Sequence, residues 1–182
     1  MNTRTGPAAG LVFAALASAM PVEAQDSRHP AIAGYGAIAP MPRSANRPAP
    51  GDNMRVLFEI SGGAADPSHI NRSLDRVARY LNLLASAGNT PAPGEVKVII
   101  HGPATPLVMT DAAYRERFGA SNPNTGLIAA LQRAGVDVHV CGQALAGQEI
   151  SPAAVNPAII VDLSAMTTLV LLQQQGWPVV SD

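Results

Sequence analysis

Cysteine is nearly absent: Cys141 is the single one in 182 residues. An intrachain disulfide and a cysteine-rich structural zinc site are both excluded. Aromatics make up only 4% of the chain, too few for the stacking platform of a single-strand or sugar binder. No excess of one charge exists either, with 12 Lys+Arg against 13 Asp+Glu and a net charge of −1. Nothing therefore neutralises a phosphate backbone, and nucleic acid is not expected as a partner. No apolar run is long enough to span a bilayer, which takes about 20 residues. A Walker loop, a G-x-G-x-x-G fingerprint and a G-x-S-x-G elbow are all missing, so neither nucleotide binding nor a hydrolase follows from motif. What is present is 47% hydrophobic residues against 14% charged ones, enough to bury a core and rule out wholesale disorder.

The first 24 residues read as an export signal. Arg4 supplies a positive start, Ala8 to Met20 an apolar stretch, and Val22-Glu23-Ala24 a cleavage site with the cut after Ala24. About 13 apolar residues would cross only about 20 Å of a roughly 30 Å hydrocarbon core, so the segment suits a cleaved signal rather than an anchor. Arginine outnumbers the lone Lys97, a composition of GC-rich bacteria, and the expected location is the periplasm, with no membrane contact after processing. Residues 25–53 carry Pro30, Pro40, Pro42, Pro48 and Pro50 with Gly34, Gly36 and Gly51 between them. No apolar period survives there, which predicts a flexible leader dispensable for folding.

From residue 54 to 182 the pattern is that of one folded domain. Val56 to Ile60, Val96 to His101, Val136 to Cys141 and Ala158 to Asp162 are short Val/Ile-rich runs bounded by turn residues, and Trp177 to Val180 is a last short one; all read as strands. Between them, His69 to Ala87 has apolar residues at helical spacing (Ile70, Leu74, Val77, Leu81, Leu84), with Asp66 or Ser68 as its cap and Gly88-Asn89 as its stop. Further helices are expected over Leu107 to Phe118, Asn124 to Ala134, Gly142 to Ile150, and from a Ser164 cap to Gln175. Alternating strands and helices predict an α/β fold: a three-layer α/β/α sandwich around a mainly parallel five-stranded sheet. Ligands of such sheets sit at the carboxyl ends of the strands.

Cys141 ends the third strand and precedes Gly142. A helix starting there would aim N–H groups at the sulfur and favour the thiolate; the alternative is a small buried hydrophobe. His139 lies two residues earlier on the same strand face, and His101 ends the neighbouring strand. These three are the candidate catalytic residues. A copper or zinc site built from them is a weaker alternative, because no carboxylate or second cysteine completes a ligand spacing. Ser61, Gly62, Gly63, Gly102 and Gly142 could line an anion pocket at the strand ends. Met109 and Met166 read as core. The last helix is apolar over Ala165, Met166, Leu169, Val170, Leu171 and Leu172, a stripe wide enough to suggest an interface.

Residues 138–145 (VHVCGQAL) and 162–177 (DLSAMTTLVLLQQQGW), with the first strand and the turn after His101, resemble the DsrE/DsrF-like family of sulfur-relay proteins over roughly residues 54–180. The signal and leader resemble an exported branch of it. The resemblance implies a homo-oligomer, trimer or hexamer, and a cysteine that accepts sulfur as a persulfide; Cys141 matches that cysteine. No cofactor or metal is implied. Two functions follow as expectations. In one, Cys141 takes sulfane sulfur from a small sulfur compound or a sulfur-donor protein, with His139 or His101 moving the proton. In the other, the domain is a non-catalytic module that binds a small anion or assembles with copies of itself.

Overall fold

The computed structural model describes Met1 and residues 26–63 and 66–182; the expected signal peptide falls outside the described residues. The sheet holds β1 (Val56–Ile60), β2 (Val96–Ile100), β3 (Asp137–Cys141), β4 (Ile160–Asp162) and β5 (Val179–Ser181) in the order β4-β3-β2-β1-β5. All four pairings are parallel, with Val56 opposite Val96, Val98 opposite Val138, Cys141 opposite Asp162 and Leu57 opposite Val179. The helices are α1 (Arg72–Ser86), α2 (Asp111–Phe118), α3 (Thr125–Arg133), α4 (Gly142–Gly147) and α5 (Ala165–Gln174).

Strand order dictates the layers. From β1 to β4 each strand adds on the same side of the last, so right-handed crossovers put their connections on one face. The return from β4 to β5 runs across the whole sheet and must use the other face, where α5 lies. The core divides accordingly. Val56, Phe58 and Ile60 of β1, Val96, Val98 and Ile100 of β2, and Val138 and Val140 of β3 pack with Leu74, Val77 and Leu81 of α1 and Leu127, Ile128 and Leu131 of α3. Among the described residues the opposite face buries only Leu57, Ile99, Cys141 and Ala165, edged by Leu169, Leu172 and Val179. The three-layer parallel sandwich is as the strand and helix pattern implied, with one thick apolar layer and one thin one.

Local boundaries differ where tertiary contacts compete. α1 starts at Arg72 because Asn71, rather than Asp66 or Ser68, caps it: its side-chain oxygen accepts from Ser73 and Leu74 N–H, each at 3.0 Å. The single helix expected from Leu107 to Phe118 is two pieces. A 3₁₀ helix over Gly102–Val108 ends at extended Met109, and Thr110 caps α2. The break follows from long-range pairing: Thr110 N–H donates to Ala154 O at 2.8 Å, and Met109 bridges Val155. At the amino edge of the sheet Trp177 lies between Arg55 and Lys97, each cation 5.4 Å from the ring centre.

The leader is the main correction to the sequence reading. Residues 29–38 lie on α1, with Ile32 at 2% exposure and Ile38 also buried. The apolar period that would have announced this is absent, because the segment docks without being a helix or strand. Its backbone polar groups are satisfied instead by a side chain. Fully buried Asn82 accepts from Ala31 and Ile32 N–H, both at 2.8 Å, and donates to Tyr35 O at 2.9 Å and Gly36 O at 3.0 Å. Gly36 N–H donates to Asp75, and a Cβ on Gly36 would stand 2.1 Å from Arg79 N, so only glycine lets the chain approach α1 this closely. Further on, Asn89 donates to Ala49 O at 2.7 Å and Asp52 O at 3.0 Å.

Asn82→Ala leaves four backbone groups without their partner at once, Ile32 N–H and Gly36 O in buried hydrogen bonds and Ala31 N–H and Tyr35 O in part-buried ones. The expected cost is about 2–4 kcal/mol, read as a lower urea midpoint; a midpoint equal to that of the unaltered protein would mean that the leader does not dock.

Candidate functional site

The connections leaving β3 and β4 depart over opposite faces of the sheet, so the crevice expected of a doubly wound fold lies between the ends of these two strands. Cys141 and Asp162 face each other there in the ladder. The gap itself is closed: a Cβ on Gly142 would come within 2.7 Å of the Asp162 carbonyl oxygen. Gly142 is thus a packing residue that seats β4 against the start of α4, not part of an anion pocket.

His139 and Cys141 share the α5 face of β3, as their spacing predicts. The structure adds two partners. His139 Nδ1 lies 3.0 Å from Asp162 Oδ1, and Thr168 of α5 donates to Asp162 Oδ2 at 2.6 Å. An ionised Asp162 holds the proton on Nδ1 and leaves Nε2 as an acceptor. That Nε2 is buried and has no hydrogen-bond partner among the described residues. One strand over, His101 stands one step beyond the Ile100–Val140 pair, beside the end of β3. Its Nε2 is 3.1 Å from Glu59 Oε1, and Ser181 donates to Glu59 Oε2 at 2.6 Å. A row of acid, histidine, cysteine, histidine and acid therefore runs along the carboxyl edge: Asp162, His139, Cys141, His101, Glu59. Among the described residues no group of three His, Cys, Asp or Glu side chains is arranged to hold a metal; each histidine is turned to its own carboxylate.

Cys141 is buried, at 6% exposure, between Leu57, Ile99 and Ala165. In burial it matches the small buried hydrophobe offered as the alternative to an exposed thiolate, because α5 lies directly over the strand end. Met109 is core, but Met166 is 74% exposed on the outer side of α5, with Leu163 at 73% and Leu171 and Val170 also in solvent. The interior of the sandwich has no place for them, since the thin face is already filled by Ala165, Leu169 and Leu172.

Of the five residues expected to line one anion pocket, Ser61, Gly62, Gly63 and Gly102 are neighbours and Gly142 lies apart at β4, but only Ser61 and Gly62 aim donors at an anion. Gly63 packs on Pro103, where a Cβ would be 3.0 Å from the carbonyl. Gly102 turns its carbonyl to Thr105 Oγ1 and Gln148 Nε2. Ser61 and Gly62 do bind an anion: the side-chain carboxylate of Asp182. Ser61 Oγ donates to Oδ1 at 2.9 Å, Gly62 N–H to Oδ2 at 2.9 Å, and Ser61 N–H lies 3.2 Å from both oxygens. Burial works to raise the Asp182 pKa, but the N–H groups of Gly62 and Ser61 and the hydroxyls of Ser61 and Ser73 outweigh it and hold the carboxyl below its ordinary range.

Asp162 and Glu59 had a sequence signal, as charges at the ends of apolar strands. Thr168 and Asp182 had none, because their roles depend on where α5 and the chain after β5 return to the sheet.

The model of the DsrE/DsrF-like family matches residues 54–181. The chain belongs to the DsrE/DsrF-like family. Among curated proteins none matches. Among solved structures, the chain is similar to a protein of unknown function from Methanobacterium thermoautotrophicum, with 19% identity, a TM-score of 0.52, and coverage of 70% of this chain and 98% of that one. At that identity the likeness supports the fold alone. It leaves the chemistry of this DsrE-like domain to its own residues.

With Cys141 sealed under α5, iodoacetamide should label the folded protein at least about 100-fold more slowly than the urea-unfolded protein, since labelling waits on local opening. Equal rates, followed by intact mass, would place the thiol at the surface.

Proposed function

We propose that this DsrE-like protein is an exported, periplasmic sulfur carrier that holds sulfane sulfur as a persulfide on Cys141. The observation that supports the reading most is the pairing of His139 with Asp162 two residues from the cysteine. The pair supplies a base and its orienting acid on the strand face that carries the nucleophile; Nε2 makes no hydrogen bond to the sulfur in the closed structure, so the proton moves once α5 has parted from the sheet. The Cys141 thiol gives its proton to His139 Nε2, and the thiolate attacks the outer sulfur of a donor persulfide R–S–SH. A Cys141 S–S bond forms, the donor's S–S bond breaks, and the donor leaves as the thiolate R–S⁻, which takes a proton. The exchange needs no outside oxidant, reductant or cofactor. His101, held by Glu59, is a second proton acceptor at the same edge. The donor is a small sulfur compound or a sulfur-donor protein, and α5 must part from the sheet for it to reach the sulfur.

A second reading rests on a different observation, the exposed apolar side of α5. Leu163, Met166, Val170 and Leu171 stand in solvent around a shallow hollow of about 740 Å³. Contiguous apolar surface of this kind is covered in most proteins, and the covering partner proposed here is a further copy of the chain, in a trimer or hexamer. In that reading Cys141 is packing and the protein is an assembly module. A membrane is not required to cover the patch, and no helix among the described residues is long and apolar enough to cross one.

One set of spectra separates the readings. After exposure to inorganic polysulfide, the carrier gains the mass of one sulfur, lost on adding a thiol, and Cys141→Ser gains none. Asp162→Asn should slow the gain about 10- to 100-fold by releasing the tautomer of His139. The same mass reports whether the exported chain starts at Gln25. No sulfur gain, together with an oligomer that Leu171→Glu converts to monomer in light scattering, favours the assembly module.

A further inference from the structure

The turn after β1 carries a ligand that the chain supplies to itself. Ser61 and Gly62 present two backbone N–H groups and a hydroxyl to one point, and the Asp182 carboxylate fills it with contacts of 2.9–3.2 Å. Convergent N–H groups of this kind form a concavity suited to an anion, whatever molecule bears it. The seat is shaped closely around its guest: a Cβ on Gly62 would lie 3.0 Å from Asp182 Oδ2. Nothing else in the fold requires Asp182 to be there. It follows the last residue of β5 and is exposed on its outer side.

The surroundings also suit an anion. Arg76 of α1 reaches the backbone beside the seat, donating to Ser181 O at 2.9 Å. Next to the seat is a surface hollow of about 580 Å³, lined by Gly62, Asn71, Arg72 and Ser73. Asp66 also borders this hollow, but its carboxylate is engaged by Ser68 and His69. On the other side Glu59 is held by His101 and Ser181. Both carboxylates are hydrogen-bonded elsewhere and so do not fill the turn, and the charges of Arg72 and Arg76 offset theirs.

We infer that the Ser61–Gly62 turn is a binding site for a small oxyanion, a carboxylate or a sulfate-sized inorganic anion, and that Asp182 is its displaceable internal occupant. The site is independent of Cys141 and of sulfur transfer. A tethered competitor acts at an effective concentration in the millimolar range or above, so a free anion enters the unaltered protein only by outcompeting it. Removing the Asp182 side chain opens the seat at no cost to the sheet ladder.

The test is a titration of the ¹⁵N-labelled protein with sodium sulfate, and separately sodium acetate, at ionic strength held constant with sodium chloride. In Asp182→Ala the Ser61 and Gly62 amide resonances should move saturably, with an apparent affinity at least about tenfold tighter than in the unaltered protein. The stronger of the two salts identifies the preferred class of anion. Adding Gly62→Ala should abolish the response, because its Cβ occupies the anion's place. Ser61 and Gly62 amides that stay still in Asp182→Ala under both salts would overturn the site. Equal responses with and without the Asp182 side chain would overturn its role as occupant. Asp182→Ser serves for the same readings if the alanine variant does not fold.

Discussion

Four strands of the sheet are laid down in one direction and the fifth is placed back beside the first. That return, from β4 to β5, has to cross the face opposite α1 and α3, and α5 is the segment that does it. The peculiarities of the carboxyl edge follow from this. One helix cannot cover five strands, so the face it covers is thin: among the described residues, four buried side chains against a core of 26 on the other side. The same helix shields Cys141, ties itself to Asp162 through Thr168, and leaves Met166 and Leu171 pointing outward. Shielding of the thiol and exposure of the apolar stripe are two sides of one placement.

Asp162 links these features. One oxygen meets His139 and the other meets Thr168, while its backbone carbonyl sits against Gly142. A movement of α5 that uncovered the sulfur would also disturb the carboxylate that orients the histidine. Access to Cys141 and the orientation of His139 are therefore coupled in the geometry, because the cysteine, the histidine and the carboxylate come from a strand pair and the helix that leaves it.

How much was legible in the chain depends on the range of the deciding interaction. Val56 to Ile60 and Val96 to Ile100 were readable as strands because buried parallel strands need apolar side chains on both faces. Ser164 was readable as a cap because capping is local, and its side chain does accept from Met166 N–H. Thr110 was missed since its N–H is engaged 44 residues away, at Ala154. The leader was misread for a related reason: its proline and glycine content describes its conformation correctly, but docking depends on Asn82, a polar residue within an apolar helical pattern. A buried asparagine with every group satisfied is a long-range clip, and no periodicity reports it.

Composition and spacing alone determined the class of fold, the five strands, the family resemblance over the 54–180 stretch, and the sharing of one strand face by His139 and Cys141. Each rests on side-chain periodicity or on neighbours within a few residues, where backbone geometry leaves little choice. Only the tertiary structure decided that Cys141 is covered, that Asp162 faces His139, that Met166 is outside, and that Asp182 fills the turn at Ser61 and Gly62. Those contacts join residues as much as 121 positions apart. They are set by the direction in which the chain crosses the sheet, a global property that no local pattern of residue types encodes.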